Sequence, residues 1–528
     1  MWGLGVGYFT LYRPLVAGTL VGLILGNVQR GMAFGAALNA VYLGFVSTGG
    51  SLPGDLAIAG YVGTALALAS GLDVEAALAT LGVPLGILGT LLWFGRMTLG
   101  SWIVHWADAR AEKGDVRGVA AVNLWAGQAM LALFYAVPAF VAVYWGQRGI
   151  DRLIALIPEH LIAALSTVGG LLPAVGIGLL LRGMGRWRLL PCFLAGFLLV
   201  CYFNVSMWPI ALLGILIAVF SFRRRPVQRE GELPGSRASG LPRRVRLAAW
   251  WRWALFLHAS YNYERLQGLG FAHAMSPIIA YLYPDQAERA AALRRHVLFF
   301  NTEPQIGALV PAVVATMEEE RAAGAPISDE AIHSVKSGLM GPLAGVGDLL
   351  FQGLITPLFL STAIGIARQG LLWGPIAYVL AISAVVLGSS YGFWELGYRL
   401  GKAAVSRVLS SGWLPGVTQA AAVVGMTVLG ALAAQVIQVP VGMVRAGSVL
   451  DLTLRGMLPL LLLALVWGLL HVGVSSLGVI GLLFALGIDL SYLGGTGGMT
   501  RGNWLLPIVV SVVVCLWVGT SVKWRRKS

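Results

Sequence analysis

Residues 189–221 read LLPCFLAGFLLVCYFNVSMWPIALLGILIAVFS, without one charged side chain. An α-helix needs about 20 apolar residues to cross a bilayer. Comparable apolar runs lie near 14–28, 31–50, 55–71, 74–94, 121–145 and 160–182, and again near 339–367, 371–391, 417–438, 456–471, 475–493 and 504–522. Over all 528 residues, 57% are hydrophobic and 11% are charged, with a mean hydropathy of +0.79. A soluble domain carries about 25% charged residues, so the polar surface here is too small to coat a water-soluble globule. The fold class that follows is an all-α polytopic membrane protein. Several runs are short or interrupted by glycine, which suggests broken helices or re-entrant hairpins and keeps the number of runs from being a number of spans.

The net charge of +14 does not point to nucleic acid, because the basic residues sit at the ends of apolar runs and in one linker. That is the pattern of membrane orientation. The linker, FRRRPVQREGELPGSRASGLPRRVR at 222–246, holds eight arginines against two glutamates. Its prolines, glycines and charge mark a flexible connection, which its arginines place in the cytoplasm; contact with lipid headgroups is compatible with that reading. The chain therefore divides into a membrane module at 1–222, a basic cytoplasmic linker at 223–246, a second module at 247–493, and a tail at 494–528. In the tail, the charge-free stretch 504–522 is expected to form one further transmembrane helix, with the basic SVKWRRKS after it in the cytoplasm. The N-terminal MWGLGVGYFTLYRP has no basic region before its apolar residues and does not read as a cleavable signal peptide. Cys192, Cys201 and Cys515 lie in apolar stretches without metal-ligand spacing and read as packing residues. No metal or cofactor is expected, and seven scattered histidines define no catalytic set. His105, in WIVHWADARAEKGD, reads as interfacial.

Three polar features of the second module stand out. GLMGPLAGVGD at 338–348 lacks the lysine and hydroxyl of a phosphate-binding loop. It reads either as small residues that let helices approach closely in lipid or as a broken helix exposing backbone to a polar solute. Its Asp348 is either a helix cap or a functional group at membrane depth. SYNYERLQGLGF at 260–271 carries Asn262, Glu264 and Gln267 among aromatics. Helical spacing puts Glu264 and Gln267 on one face, and an interfacial amphipathic helix anchored by the preceding AAWWRW is the favoured reading. FFNTEP at 299–304 offers Asn301, Thr302 and Glu303, either at a helix end before proline or as the amide and carboxylate groups that sugar hydroxyls require. In PISDEAIHSVKSG, Ser328 is placed to cap a helix.

SYNYERLQGLGF, RRHVLFFNTEP, MEEERAAGA and KSGLMGPLAGVGD resemble the IID component of mannose-type sugar phosphotransferase systems, over roughly 250–493. RPLVAGTLVGLILG, the run through LGFVSTGG to Asp55, and the 189–215 stretch resemble the IIC component, more loosely. The resemblance implies a fused IIC–IID sugar permease of a bacterial plasma membrane, built from two modules in an inverted arrangement. It implies phosphorylation of the incoming sugar by a cytoplasmic IIB protein, supplied from phosphoenolpyruvate through enzyme I, HPr and IIA, and a homo-oligomer, a trimer in this family. With it, the broken-helix reading of 338–348 becomes the favoured one. Substrate-binding residues are then expected at Asn39, Asp55, Asn262, Glu264, Asn301, Thr302, Glu303 and Asp348, with Glu264, Asn301, Glu303 and Asp348 converging on one polar site. Departures fall at Tyr12, where the family pattern has histidine; at Asn27 and Asn39, where it has acidic residues; at Gly54, where it has proline; and at Leu349, likewise. They leave a second reading open: a secondary or facilitative transporter of the same fold without phosphoryl coupling. A structural or docking protein is a third, opposed by the retained polar residues.

Overall fold

The computed structural model describes residues 5–45, 54–156, 159–184, 187–221, 240–401, 413–439 and 449–493. The expected tail helix at 504–522 and most of the basic linker lie outside them. Every named element among the described residues is a helix, and no strand forms beyond two isolated backbone bridges at Leu266. Among the described residues, five helices are long and apolar enough to cross a membrane: Val74–Ala111, Val116–Gly146, Ala164–Arg182, Asp329–Ala367 and Trp373–Leu400. This matches the expected class, because lipid forces each backbone group to be satisfied within its own helix.

The first apolar run forms a hairpin. Helices Pro14–Ile24 and Val28–Val41 have 11 and 14 residues, about 16 and 21 Å of rise, short of the roughly 30 Å hydrocarbon core. Gly18, Gly22, Gly31 and Gly35 face one another, and a Cβ on Gly18, Gly31 or Gly35 would strike the opposite backbone. Small residues thus let two helical backbones meet without intervening side chains. Run 189–221 also divides, into Leu190–Phe203 and Met207–Ser221, at Asn204, whose φ of 51° ends the first helix in the left-handed region that asparagine tolerates best after glycine.

The two halves pack through helices taken in opposite order. Glu159–Leu171 packs on Ser476–Leu493, Pro173–Met184 on Val449–His471, and Leu190–Phe203 on Trp413–Val436. At one end the segments 105–118, 283–296 and 319–335 gather into a polar cap, joined by Gln286 Nε2 donating to the Lys113 carbonyl at 2.9 Å and by the Arg295–Asp329 ion pair at 3.3 Å. Gly240, the first described residue of the linker segment after the gap, donates its N–H to Glu319 of this cap. The helix Arg243–Phe256 starts inside the segment expected to be linker, because Arg246 is held by Glu395 at 3.3 Å and lies over the Tyr398 ring.

The stretch 338–348 is not a break. It lies within the continuous helix Asp329–Ala367, capped as expected by Ser328, whose Oγ accepts from Ala331 N–H at 3.2 Å. From Asp348 to Ile355 the helix widens to π geometry, a local defect often found at functional sites, so Asp348 is neither a cap nor part of an unwound segment. The packing alternative holds at only one glycine of the four: Gly338, Gly341 and Gly345 have nothing within 4 Å of an added Cβ, whereas at Gly347 it would strike Glu303. Gly345→Ala should accordingly be neutral or stabilising by up to about 1 kcal/mol, and Gly347→Ala should cost about 1–3 kcal/mol. Thermal unfolding of the two variants in detergent checks the contrast; equal midpoints would contradict it.

Candidate functional site between the two halves

Two loops of the second half aim polar side chains at the first. Loop 257–267 is folded by Asn262, whose Oδ1 accepts from the N–H groups of Glu264 and Arg265 at 3.0 and 2.9 Å and whose Nδ2 donates to the Ser260 carbonyl. Leu266 then takes a left-handed φ of 49°. This turn breaks the helix expected over SYNYERLQ and sends Glu264 and Gln267 to opposite sides. Glu264 is exposed and pairs with His105 at 3.7 Å and Arg265 at 3.5 Å. Gln267 is buried and clamps loop 297–305, accepting from Thr302 N–H at 2.9 Å and donating to the Thr302 carbonyl at 2.7 Å. The AAWWRW tryptophans are mostly internal rather than interfacial. Trp250 and Trp253 are buried, and Trp253 Nε1 donates to the Pro304 carbonyl at 2.8 Å.

Held this way, loop 297–305 presents Asn301 and Glu303 beside the π segment. The Tyr261 hydroxyl donates to Asn301 Oδ1 at 2.9 Å. Glu303 is buried; its Oε2 accepts from Ile306 N–H at 2.8 Å, its Oε1 has no partner, and Asp348 lies within electrostatic reach. Asp348 accepts from Gln352 Nε2 at 2.7 Å, and Gln352 Oε1 accepts from the Tyr8 hydroxyl of the first half at 2.8 Å. Tyr8 stacks on Tyr12, whose oxygen accepts from Leu56 N–H at 3.3 Å. The neighbouring Asp55 is fully buried. It accepts from the N–H groups of Ala57 and Ile58 at 3.0 Å and from the Tyr135 hydroxyl at 2.7 Å. Arg96 closes the circuit, within electrostatic reach of Asp55 on one side and Tyr261 on the other. The result is a buried polar ring that crosses between the halves. Its carboxylates, amides and phenols both accept and donate hydrogen bonds, the chemistry that binds neutral polyhydroxylated ligands.

The structure thus brings Asn301, Glu303, Asp348 and Asp55 into one network, and Glu264 lies outside it. Asn262 is spent on its own turn. The Thr302 hydroxyl donates to the Met340 carbonyl at 3.1 Å, tying the loop to helix Asp329–Ala367. Asn39 is buried in the hairpin, its Oδ1 accepting from Leu15 N–H at 3.2 Å and its Nδ2 without a partner. Among the described residues, no group of three His, Cys, Asp or Glu side chains is placed to hold a metal.

A second buried cluster was not legible in the sequence. Glu318 accepts from Arg295 Nε at 2.6 Å and Nη2 at 2.7 Å, from His296 Nε2 at 2.8 Å, and from the Tyr283 hydroxyl at 2.6 Å. Lys336 Nζ donates to the carbonyls of Arg295 and His296 at 3.2 and 3.4 Å and lies 4.3 Å from the Phe271 ring centre. The available signal was the placement of Arg295 and His296, Glu318, and Lys336 at the edges of three separate motifs, RRHVLFFNTEP, MEEERAAGA and KSGLMGPLAGVGD.

An all-helical membrane bundle with a buried polar ring between two halves is the layout of a solute permease. The family model for the PTS system mannose/fructose/sorbose family IID component matches residues 241–495, and that for the PTS system sorbose-specific IIC component matches residues 1–220. The mannose-specific EIID component of Escherichia coli K12 is 38% identical over 244 residues, covering 43% of this chain and 86% of that one. N-acetylgalactosamine permease IIC component 1 of the same organism is 35% identical over 213 residues, covering 40% of this chain and 79% of that one. A solved complex of the mannose transporter ManYZ with microcin E492 aligns at 32% identity and a TM-score of 0.30, over 50% of this chain and all of that one. The chain belongs to the mannose/fructose/sorbose family of phosphotransferase-system permeases and carries a IIC and a IID component in one polypeptide.

The Glu318 cluster sets an acid limit on folding. Burial raises the Glu318 carboxyl, but the hydrogen bonds and charge of Arg295, together with His296, hold it well below the ordinary 4.5. Burial pushes His296 down from 6.5 to about 4. A depressed histidine favours the folded state when neutral, so its contribution is lost as pH falls from 6.5 towards 4. A depressed carboxylate contributes above 4.5 and loses its contribution below that. Thermal midpoints in detergent should therefore decline below pH 6.5 and fall more steeply below 4.5. At neutral pH, Glu318→Gln should cost about 3 kcal/mol, because it leaves the buried Arg295 with only the half-exposed Asp329, at 3.3 Å, as counter-charge. An unfolding midpoint unchanged by Glu318→Gln would refute this account.

Proposed function

We propose that the chain is the sugar permease of a mannose-type phosphoenolpyruvate-dependent system. It moves a hexose-like sugar inward as a cytoplasmic phospho-IIB protein phosphorylates it, with enzyme I, HPr and IIA upstream. The observation that carries the reading is the ring itself: Asp55 and Glu303 are buried, and Asp348, Asn301 and Gln352 half-buried, between the IIC and IID halves. Charged groups so placed in a membrane protein are expensive and mark solute pathways. The unpartnered Oε1 of Glu303 is an acceptor ready for a sugar hydroxyl.

The opposite order in which the halves' helices pack is what an inverted repeat produces, and supports that arrangement. The arginines of the linker, together with the Gly240–Glu319 contact at its end, favour a cytoplasmic cap in a bacterial plasma membrane. Asn39, Asn262, Glu264 and Thr302 are proposed to act with the ring in binding or in shaping its loops.

In membrane vesicles holding the full chain, purified phospho-IIB should yield internal sugar phosphate. Glu303→Gln and Asp348→Asn should each lower uptake by about 10-fold or more, the loss expected for a hydrogen bond to a charged group. Uptake that proceeds equally without phospho-IIB, and leaves the sugar unmodified, would replace this reading with facilitative transport. Uptake insensitive to both substitutions would remove the ring from the sugar path.

A further inference from the structure

The first half contributes two buried cations to the ring, Arg13, which lies 4.9 Å from the Tyr8 ring centre, and Arg96, and the hydrogen-bonding of each is incomplete. Arg96 lies within the span Val74–Ala111 and is 1% exposed. Its Nη2 donates to the His258 carbonyl at 3.3 Å, its guanidinium lies 5.1 Å from the Trp93 ring centre, and its Nη1 is buried with no partner. No carboxylate takes that N–H. Asp55 is near enough to act electrostatically, but its oxygens are occupied by Tyr135 and by the N–H groups of Ala57 and Ile58. A buried polar group normally finds its hydrogen bond, and leaving one of a charged fork's donors unused is costly. Beyond Tyr261 and Asn301, the Oε1 of Glu303 is idle in the same way. An idle donor on the first half and an idle acceptor on the second are complementary, yet they do not meet.

We propose that Arg96 is a ligand-contacting residue of the first half, donating from Nη1 to a hydroxyl oxygen of the sugar whose other hydroxyls donate to Glu303. This rests on the reading of the ring as the sugar site. The ligand group is a hydroxyl rather than a phosphoryl oxygen because of depth. Arg96 lies 9 residues from His105, where the polar cap begins, about 14 Å along the helix, inside the apolar span and away from a donor confined to water. A planar guanidinium also suits the task, since it holds a protein carbonyl and a ligand oxygen at once from a fixed fork, which a lysine cannot do in the same geometry.

The test uses the full chain in nanodiscs, with equilibrium binding of radiolabelled sugar as the signal and thermal unfolding as the check on folding. The probes are D-mannose, D-fructose, L-sorbose and N-acetyl-D-galactosamine, and then the monodeoxy analogues of whichever sugar binds. Arg96→Met should weaken binding about 10- to 100-fold, and Arg96→Lys by an intermediate factor. One deoxy analogue, lacking the hydroxyl that Arg96 contacts, should bind the wild type and both variants equally. If every analogue loses the same factor in Arg96→Met and Arg96→Lys, Arg96 only positions the His258 loop, and the proposal is overturned. Unchanged sugar affinity in both variants also overturns it. If Glu303→Gln and Asp348→Asn bind the sugar as the wild type does, or if no probe binds, the ring is not the sugar site and both readings fall together. Loss in those two variants with none in the Arg96 pair removes Arg96 alone.

Discussion

A carboxylate cut off from water must be matched by cations, and Glu318 organises the second half around that requirement. It is fully buried and takes both of its oxygens to Arg295, His296 and Tyr283. These partners come from segments that otherwise share no backbone pairing. Lys336, at the start of the span Asp329–Ala367, adds bonds to the carbonyls that end helix Gln286–His296. The span and the loop after that helix therefore cannot shift independently. Asp348 sits twelve residues further along the same span, and Asn301 and Glu303 sit in the same loop. The distance between the carboxylates of the ring is thus set by an ion cluster that touches neither.

The contrast between cluster and ring separates scaffold from site. Both oxygens of Glu318 are occupied, which rigidifies its surroundings, and in that cluster only the far nitrogen of His296, Nδ1, is left without a partner. The ring is incomplete: Glu303 Oε1 and Arg96 Nη1 are buried and idle. Desolvating a polar atom without a partner costs about 1–3 kcal/mol. A protein retains such a cost where something else completes the bond. The π segment beginning at Asp348 belongs to the same account. Its widened turn lies where the ring carboxylate sits, and the glycine before it is the one that Glu303 packs against.

The membrane class was legible because lipid leaves a compositional mark, and the motif segments were legible because their polar residues stand out against it. Asn301, Glu303 and Asp348 were found this way, and the Ser328 cap followed from a local rule that tertiary structure did not override. The helix read through SYNYERLQ failed because Asn262 and Leu266 turn the chain, and side-chain bonds to backbone compete with helix at such residues. The broken helix expected at 338–348 failed for the opposite reason: glycine and proline weaken a helix in water, but neighbouring structure satisfies the backbone in a bundle. Arg96 could not be picked out, since an arginine just past the end of the apolar run at 74–94 reads as an ordinary flanking charge. The Glu318 cluster joins residues from three motifs, so its pairing is a property of the fold.

The departures from the family pattern in the first half now have local explanations of different weight. Asn27 is the N-cap of helix Val28–Val41, its Oδ1 accepting from Arg30 N–H at 3.2 Å on an exposed turn. An acidic residue would cap equally well, so that change carries no chemical consequence for the ring. The Tyr12 oxygen accepts from a backbone N–H beside Asp55, a role open to a histidine nitrogen as well. Asn39 differs in kind. Its Oδ1 is used by Leu15, so replacing a carboxylate there removes a buried negative charge and turns one acceptor into an idle donor. Of the expected acidic positions in this half, Asp55 keeps its charge, and Arg96 lies close enough to balance it. A second carboxylate at residue 39 would add a buried anion to a half in which Asp55 already draws on that guanidinium. The asparagine avoids that second buried anion while keeping a polar side chain that accepts from Leu15 N–H.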